Sequence, residues 1–140
     1  MKKVFICSPY SATAEYSTEE NVALAERLCR AVTLAGHAPF APHLFYTRFL
    51  DDKSQKERAM GIDAGIAWLG MADEIWIYAK DRNECSEGMA LEVLRAEKFS
   101  IAPVPRWMPT EWKGVTPRKR TPPPKIIETK VVSKVAEVAP

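Results

Sequence analysis

The stretch CSEGMALEVLRAEK holds three residues whose types and spacing could do chemistry. Ser86 lies where the N-cap of a helix is expected, and Gly88 lies just inside that helix. Free backbone N–H groups and the positive helix end form a natural seat for an anion such as phosphate. Glu92 follows Ser86 by six residues and shares a helical face with Gly88, where the missing side chain leaves room for a ligand.

The same glutamate also has a simpler interpretation. Ser86 would then only cap the helix, and Glu92 would be a solvated surface residue. At helical spacing it could pair with Arg95 or Lys98. Residue types alone favour this simpler interpretation, so the place of the helix in the fold has to decide between them.

The chain around this helix alternates between strand-like and helix-like patterns. Short apolar, β-rich runs predict strands, and longer capped segments predict helices. The predicted strands are 3–7, 37–43, 73–79 and 100–105. The predicted helices are 17–36, 54–72 and 86–98. This order predicts an α/β fold, a doubly wound Rossmann-like or flavodoxin-like parallel sheet of four or five strands.

Local signals mark the helix ends. Ser17 and Glu20 fit a capping box, and Gly36 is expected to end the first helix in a left-handed conformation. The second helix carries an apolar face and three glycines, Gly61, Gly65 and Gly70, whose cost of about 1 kcal/mol each in a helix interior suggests close packing against another element. The apolar face comprises Met60, Ala64, Ala67, Trp68 and Met71.

Ligands of open α/β sheets bind at the carboxyl ends of the strands. The segments expected there are CSPYS, APHLFYTRF and KDRNECSEG, all rich in polar and aromatic residues. They bring candidate binding residues to one edge, and Arg58 on the second helix is a candidate for reaching a phosphate. The candidates from the first two segments are Cys7, Ser8, Pro9, Tyr10 and His43. For Tyr10 the alternative is a packed aromatic residue, and for Arg58 it is a solvated surface residue.

Composition narrows the class of protein. Hydrophobic residues make up 46% of the 140, which is enough for one domain with a core. Three scattered cysteines predict free thiols in a reducing cytoplasm, and two histidines without metal-ligand spacing argue against a zinc site. No run is apolar enough to predict a membrane span.

Charge divides the chain. Residues 1–109 carry a net charge of −2 and residues 110–140 a net charge of +4, so a nucleic-acid interface is not expected on the body. The predicted domain is 1–106. Residues 107–140 are Pro-rich and basic, which predicts a disordered or extended tail that is a candidate for contacting a partner.

An ordered set of motifs carries a family resemblance over roughly residues 3–104. The motifs are ICSPY, then N…A…C…G…P.APHL…FLDD…R..G, then DE.W……SEGM..E. In these the chain resembles the nucleoside 2-deoxyribosyltransferase-like superfamily, which includes the 2′-deoxynucleoside 5′-monophosphate N-glycosidases. The similarity is greatest to a branch of small phage and bacterial members.

The resemblance implies an activity and roles for residues. It implies cleavage or transfer at the N-glycosidic bond of a (deoxy)nucleoside or its 5′-monophosphate, with Glu92 as nucleophile and Tyr10 orienting it. Ser86 would bind the 5′ end, with Gly88 and Met89 beside it. The resemblance also implies no cofactor and no metal, a homo-oligomer of two or more copies, and the cytoplasm of a bacterium or phage-infected host.

One departure from the family pattern concerns the acid that protonates the leaving base. The glycosidases place an aspartate three residues before the tryptophan of the WL..AD motif, and here that position is Gly65. Asp63 could substitute, or Asp73 could supply the proton at the ligand. Otherwise the protein would be a non-catalytic binder of nucleotides or nucleotide signals that uses the same pocket. A weaker alternative is a structural scaffold with a working basic tail.

Overall fold

The computed structural model of the chain describes residues 1–79 and 86–107. Within them the strands are β1 (Lys3–Cys7), β2 (Ala38–Phe40), β3 (Glu74–Ala79) and β4 (Ala102–Trp107). The helices are α1 (Thr18–Leu34), α2 (Pro42–Phe45), α3 (Gln55–Leu69) and α4 (Glu87–Lys98), and a 3₁₀ segment, Tyr46–Arg48, follows α2. The rest of the predicted tail, from residue 108 on, lies outside the described residues.

The four described strands form one parallel sheet in the order β2-β1-β3-β4. The predicted α/β fold is therefore confirmed. β2, which carries Pro39, lies at one edge, where a missing N–H is tolerated. The chain leaves β1 for β2 on one side and later crosses to β3 on the other. The strand order thus reverses between β1 and β3, which is where α/β proteins open a ligand crevice.

Alternate residues of β1 belong to two separate cores on the two faces of the sheet. The core on the α1 face comprises Val4, Ile6, Leu24, Leu28, Val32, Ala41 and Tyr78. The core on the α3 and α4 face comprises Phe5, Cys7, Leu69, Ile75, Met89, Ala96 and Ile101. Full burial of a large side chain of this kind stabilises a fold by about 1.5–3 kcal/mol. The second core fixes the start of α4 above the carboxyl end of β1.

Both ends of α1 follow the sequence signals. The Ser17 hydroxyl accepts a hydrogen bond from the backbone N–H of Glu20 at 3.1 Å, and the Glu20 carboxylate accepts one from the N–H of Ser17 at 2.8 Å. This reciprocal pair is the predicted capping box. Gly36 has a φ of +87°, the left-handed conformation expected just after a helix.

The close packing suggested by the glycines of α3 is confirmed at Gly61 and Gly65. The buried residues of this helix are Gly61, Gly65 and Leu69, which follow one another at intervals of four. Because this glycine stripe lets neighbouring backbone approach closely, it becomes the inner face of the helix. The large residues of the apolar face are left exposed, namely Met60, Trp68 and Met71.

The strand predicted over 37–43 is too long, because β2 ends at Phe40 and α2 begins at Pro42. The LFYTRF segment that follows is helical over most of its length. Pro42 occupies the first turn of α2, where its missing N–H costs nothing. The following 3₁₀ turn keeps the chain close to the carboxyl ends of β1 and β2. Among the described residues, no helix combines the length and the apolar character needed to cross a bilayer.

Candidate functional site

An open cavity lies at the carboxyl edge of the sheet, beside the point where the strand order reverses. Its volume is about 730 Å³, which includes the part of the cavity that is open to solvent. Its wall combines apolar and aromatic side chains with many polar and charged ones. The polar and charged residues include Ser8, Tyr10, His43, Asp52, Arg58 and Glu92.

The start of α4 forms one end of the cavity. Ser86 is the N-cap residue, and its hydroxyl accepts a hydrogen bond from the backbone N–H of Met89 at 3.3 Å. Gly88 lines the cavity, and a Cβ built on it would meet nothing within 4 Å. The remaining N–H groups of the first turn and the positive end of a twelve-residue helix therefore border open space that can take an anion.

Glu92 lines the same cavity and is partly buried. Burial raises the pKa of its carboxyl group to about 7, and a hydrogen bond from the Cys7 thiol opposes this rise. A fully solvated glutamate would titrate near 4.5. The simpler interpretation, a solvated residue on the helix surface, does not describe this environment.

Ser8 and His43 meet in the opposite wall. The hydroxyl oxygen of Ser8, itself buried, lies 3.0 Å from Nε2 of His43. Burial lowers the pKa of His43 to about 4, so its imidazole is neutral at neutral pH. The Tyr10 ring lies beside it, with 6.0 Å between the ring centroids. The pair thus presents neutral hydrogen-bonding groups to a ligand, not a cation.

Asn21, the first residue of the N…A…C motif, fixes the loop that carries Tyr10, a role that the sequence did not predict. Its buried side-chain amide donates hydrogen bonds to the carbonyl oxygens of Tyr10 and Ser11, both at 3.1 Å. A polar residue among the apolar positions of α1 is the signal that could have found it, since a buried amide in a helix needs partners outside that helix.

Charged residues near the start of α3 form a further part of the wall. Arg58, a predicted phosphate ligand, lines the cavity and forms an ion pair with Asp52 at 3.6 Å. Glu57 also lines the cavity, and its carboxylate accepts a hydrogen bond from the backbone N–H of Asp51 at 2.6 Å. Sequence reasoning missed Asp52 and Glu57 as site residues, although the FLDD motif that contains Asp52 was noticed.

Two predicted acids do not reach the cavity. Asp63 is exposed on the outer side of α3, because the face of that helix turned to the cavity carries Arg58, Gly61 and Ile62. Asp73 precedes β3 at the amino edge of the sheet, where its carboxylate accepts a hydrogen bond from the N–H of Lys3 at 2.7 Å. Among the described residues, neither is part of the cavity wall at the carboxyl edge.

The remaining predicted binding residues divide in the same way. Met89 lines the cavity from the buried side of α4, together with Ser86 and Gly88. Cys7 and Pro9 do not line it. Cys7 is fully buried beneath α4, and it therefore acts on the site through its neighbours and not by direct contact with a ligand.

Comparison with known proteins gives one family and one fold. Residues 2–104 match the model of a domain of unknown function, DUF7768. No curated protein matches the chain. A solved structure of a 2-deoxyribosyltransferase from the psychrotolerant bacterium Bacillus psychrosaccharolyticus is similar, with a TM-score of 0.59 and 15% identity. The match covers 75% of this chain and 72% of that one, and at this identity it shows that the two share a fold.

Proposed function

The chain belongs to the DUF7768 family, and we propose that it cleaves or transfers at the N-glycosidic bond of a (deoxy)nucleoside or its 5′-monophosphate. Glu92 is the proposed nucleophile. The observation that carries the proposal is the position of this carboxylate. It lies in the wall of a cavity at the carboxyl edge of the sheet. The helix that carries it offers an anion-binding site at its first turn. The nucleoside-processing relative of the same fold supports the choice of substrate class.

The proposed reaction follows from these groups. The ionised Glu92 attacks the anomeric carbon of the sugar while the bond from that carbon to the base nitrogen breaks, through an oxocarbenium-like transition state. The bonding electrons leave with the base, which takes up a proton. Water then attacks the anomeric carbon to give hydrolysis, or the nitrogen of a second base attacks it to give transfer, and either releases the Glu92 carboxylate.

The residues of the cavity wall suit different parts of the proposed substrate. The start of α4, with Ser86 and Gly88, suits the 5′-hydroxyl or 5′-phosphate, and Arg58 adds a positive charge to the cavity. Ser8, paired with the neutral His43, suits hydroxyl groups of the sugar. Tyr10 offers an aromatic surface and a phenol close to that pair.

Protonation of the leaving base falls to a carboxyl group of the cavity wall. Among the described residues that line the cavity, the carboxyl groups other than Glu92 are Asp52 and Glu57. They replace Asp63 and Asp73 as candidates for this role, because a general acid must come within hydrogen-bond reach of its substrate.

A second candidate function is non-catalytic binding of a nucleotide or nucleotide-derived signal. The observation that favours it is the packing at Gly65, where a Cβ would lie only 2.9 Å from Cβ of Pro42. The position that holds the acid in related glycosidases is therefore closed to a side chain in this protein. Asp52 and Glu57 are also already engaged by Arg58 and by a backbone N–H.

The deciding experiment incubates the full chain with a panel of (deoxy)nucleosides and their 5′-monophosphates and measures free base by chromatography. We expect release from the wild type and a loss of at least about 100-fold in Glu92→Gln, because the nucleophile is removed. Glu97→Gln, an exposed glutamate on the same helix, is the matched control and should behave as the wild type. Tight binding without release from any substrate would establish the binding function instead.

Two further predictions stay open to direct measurement. Self-association of the chain, implied by the family resemblance, is tested by light scattering on the full chain over a range of concentrations. A cytoplasmic location is tested by fractionation of cells that express it.

A further inference from the structure

Cys7 lies beneath the helix that carries the proposed nucleophile. We propose that Cys7 is a positioning residue, whose thiol donates a hydrogen bond to the Glu92 carboxylate and holds it, in its ionised form, at the wall of the cavity. The effect of this hydrogen bond on reaction rate rests on the proposed function. Its effect on the titration of Glu92 can be measured whether or not the protein is an enzyme.

The geometry places the thiol under the correct turn of α4. Cys7 is the last residue of β1 and is fully buried in the core between the sheet and α4. Its Sγ lies 3.8 Å from the carbonyl oxygen of Met89. Met89 precedes Glu92 by three residues and therefore lies on the same face, one turn earlier. The thiol therefore lies beneath the turn of α4 that leads to Glu92, with the Met89 carbonyl as an acceptor within its reach.

The Glu92 carboxylate is a stronger acceptor than the Met89 carbonyl. Hydrogen bonds to an ionised group are roughly twice as strong as those between neutral groups. The Met89 carbonyl also faces the N–H of the next helical turn, whereas the Glu92 side chain takes no part in the hydrogen bonds of the helix backbone. A hydrogen bond from the thiol therefore gives Glu92 a donor that the backbone of α4 does not provide.

The direction of the pKa shift at Glu92 supports this assignment. Burial raises its pKa to about 7, and the hydrogen bond from Cys7 acts in the opposite direction. A donor that bonds the charged form favours that form. Without the thiol only the effect of burial would remain, and Glu92 would be protonated over more of the neutral range.

Other titratable or charged groups also face this carboxylate across the cavity. Burial keeps His43 neutral, and Arg58 is paired with Asp52. These groups line the wall of the open cavity, whereas Cys7 approaches from the protein interior, where no solvent screens it. The facing groups are Tyr10 from the loop after β1, His43 from α2, Tyr46 and Asp52 from the segment before α3, and Glu57 and Arg58 from α3.

The test measures the titration of Glu92 directly, by carboxyl ¹³C NMR on the full chain, with Glu92→Gln identifying the resonance. Cys7→Val keeps the approximate size of the residue and removes the donor, and Cys7→Ser restores a donor. Cys29→Val is the matched control, because Cys29 is a partly buried thiol that packs on the opposite face of the sheet. Circular dichroism and thermal unfolding establish that each variant is folded.

We expect the midpoint of Glu92 to rise by on the order of one pH unit in Cys7→Val and to stay near the wild-type value in Cys7→Ser and Cys29→Val. An unchanged midpoint in folded Cys7→Val overturns the proposal, as does an equal rise in Cys29→Val. If Cys7→Val does not fold, a midpoint in Cys7→Ser that rises instead of staying low overturns it.

The pH profile of base release separates this inference from the proposed function. Since the nucleophile must be ionised, the acid limb of kcat/KM should move to higher pH in Cys7→Val by the same amount as the NMR midpoint. A shifted midpoint in a protein that releases no base from any substrate contradicts the proposed function and leaves the positioning role standing. If base is released but the acid limb of the kcat/KM profile does not move in Cys7→Val, the positioning role alone is contradicted.

Discussion

Gly65 lies directly against Pro42: a Cβ atom built on Gly65 would come within 2.9 Å of Cβ of Pro42. The inner face of α3 and the start of α2 therefore meet without room for a side chain. The position where the family resemblance led us to expect an acid is a packing contact in this structure. A substitution that introduces the acid would have to move one of these helices.

We expect Gly65→Ala to destabilise the protein by up to about 2 kcal/mol, because the added methyl group overpacks a contact with a rigid ring by about 1–3 kcal/mol and the gain in helix propensity of about 1 kcal/mol offsets only part of that cost. Gly61→Ala is the matched control on the same stripe. Its Cβ would lie 3.2 Å from Cδ1 of Leu50, a flexible side-chain end, and the gain in helix propensity of about 1 kcal/mol offsets that crowding. Urea unfolding of the three proteins measures the difference. A Gly65→Asp variant that is fully stable and releases base faster would contradict this account.

Removal of the Asn21 amide should loosen the wall of the cavity that carries Tyr10. In Asn21→Ala the carbonyl oxygens of Tyr10 and Ser11 lose their donors, so we expect a loss of about 1–3 kcal/mol in stability. Amide hydrogen exchange should also accelerate around residues 8–16. Thr33→Val removes an exposed hydroxyl from the same helix and should change neither quantity. Slow exchange in a folded Asn21→Ala would show that the loop is held by other contacts.

Glu92 and His43 should give the stability of the protein opposite dependences on pH. The pKa of Glu92 is raised from 4.5 to about 7, so the folded state binds the proton more tightly than the unfolded state. The contribution of Glu92 therefore weakens stability progressively as pH rises from 4.5 to 7. The pKa of His43 is lowered from 6.5 to about 4, so its contribution weakens stability as pH falls from 6.5 to 4.

Single variants separate these two effects. Relative to the wild type, Glu92→Gln should gain stability between pH 4.5 and pH 7, by on the order of 2 kcal/mol. His43→Gln should change in the opposite sense and gain relative stability as pH falls from 6.5 to 4. Urea unfolding at half-unit steps from pH 4 to pH 8 measures both curves. Curves that run parallel to the wild type would show that the two groups titrate as they do in the unfolded chain.

Arg58 should discriminate between phosphorylated and unphosphorylated ligands. We expect Arg58→Met to weaken binding of a nucleoside 5′-monophosphate by about 10-fold or more, and binding of the nucleoside far less, because a guanidinium contributes mainly to the anion. Lys56→Met removes an exposed charge from the same helix and should be nearly neutral for both ligands. Isothermal titration calorimetry with a nucleoside and its 5′-monophosphate measures the change in affinity for each ligand. An equal loss for both would place Arg58 at the base or sugar.

The sequence by itself determined the three long helices and several of their ends, but not α2 or the 3₁₀ turn after it. The capping box of Ser17 and Glu20, the left-handed Gly36 and the N-cap Ser86 depend on residues within four positions of one another, and such local rules can be applied to a sequence alone. The strand–helix alternation likewise implied the parallel sheet, because crossover connections leave few other arrangements.

Only the tertiary structure decided which side chains share the cavity. The inner face of α3 depends on how closely α2 approaches it, and that approach selects glycines over the large apolar residues. The same helix rotation turns Asp63 outward, and the start of β3 fixes Asp73 at the far edge. The role of Asn21 in holding the Tyr10 loop and the raised pKa of Glu92 both depend on contacts between residues far apart in the chain. Burial and hydrogen bonding at such contacts arise only when the helices have docked on the sheet.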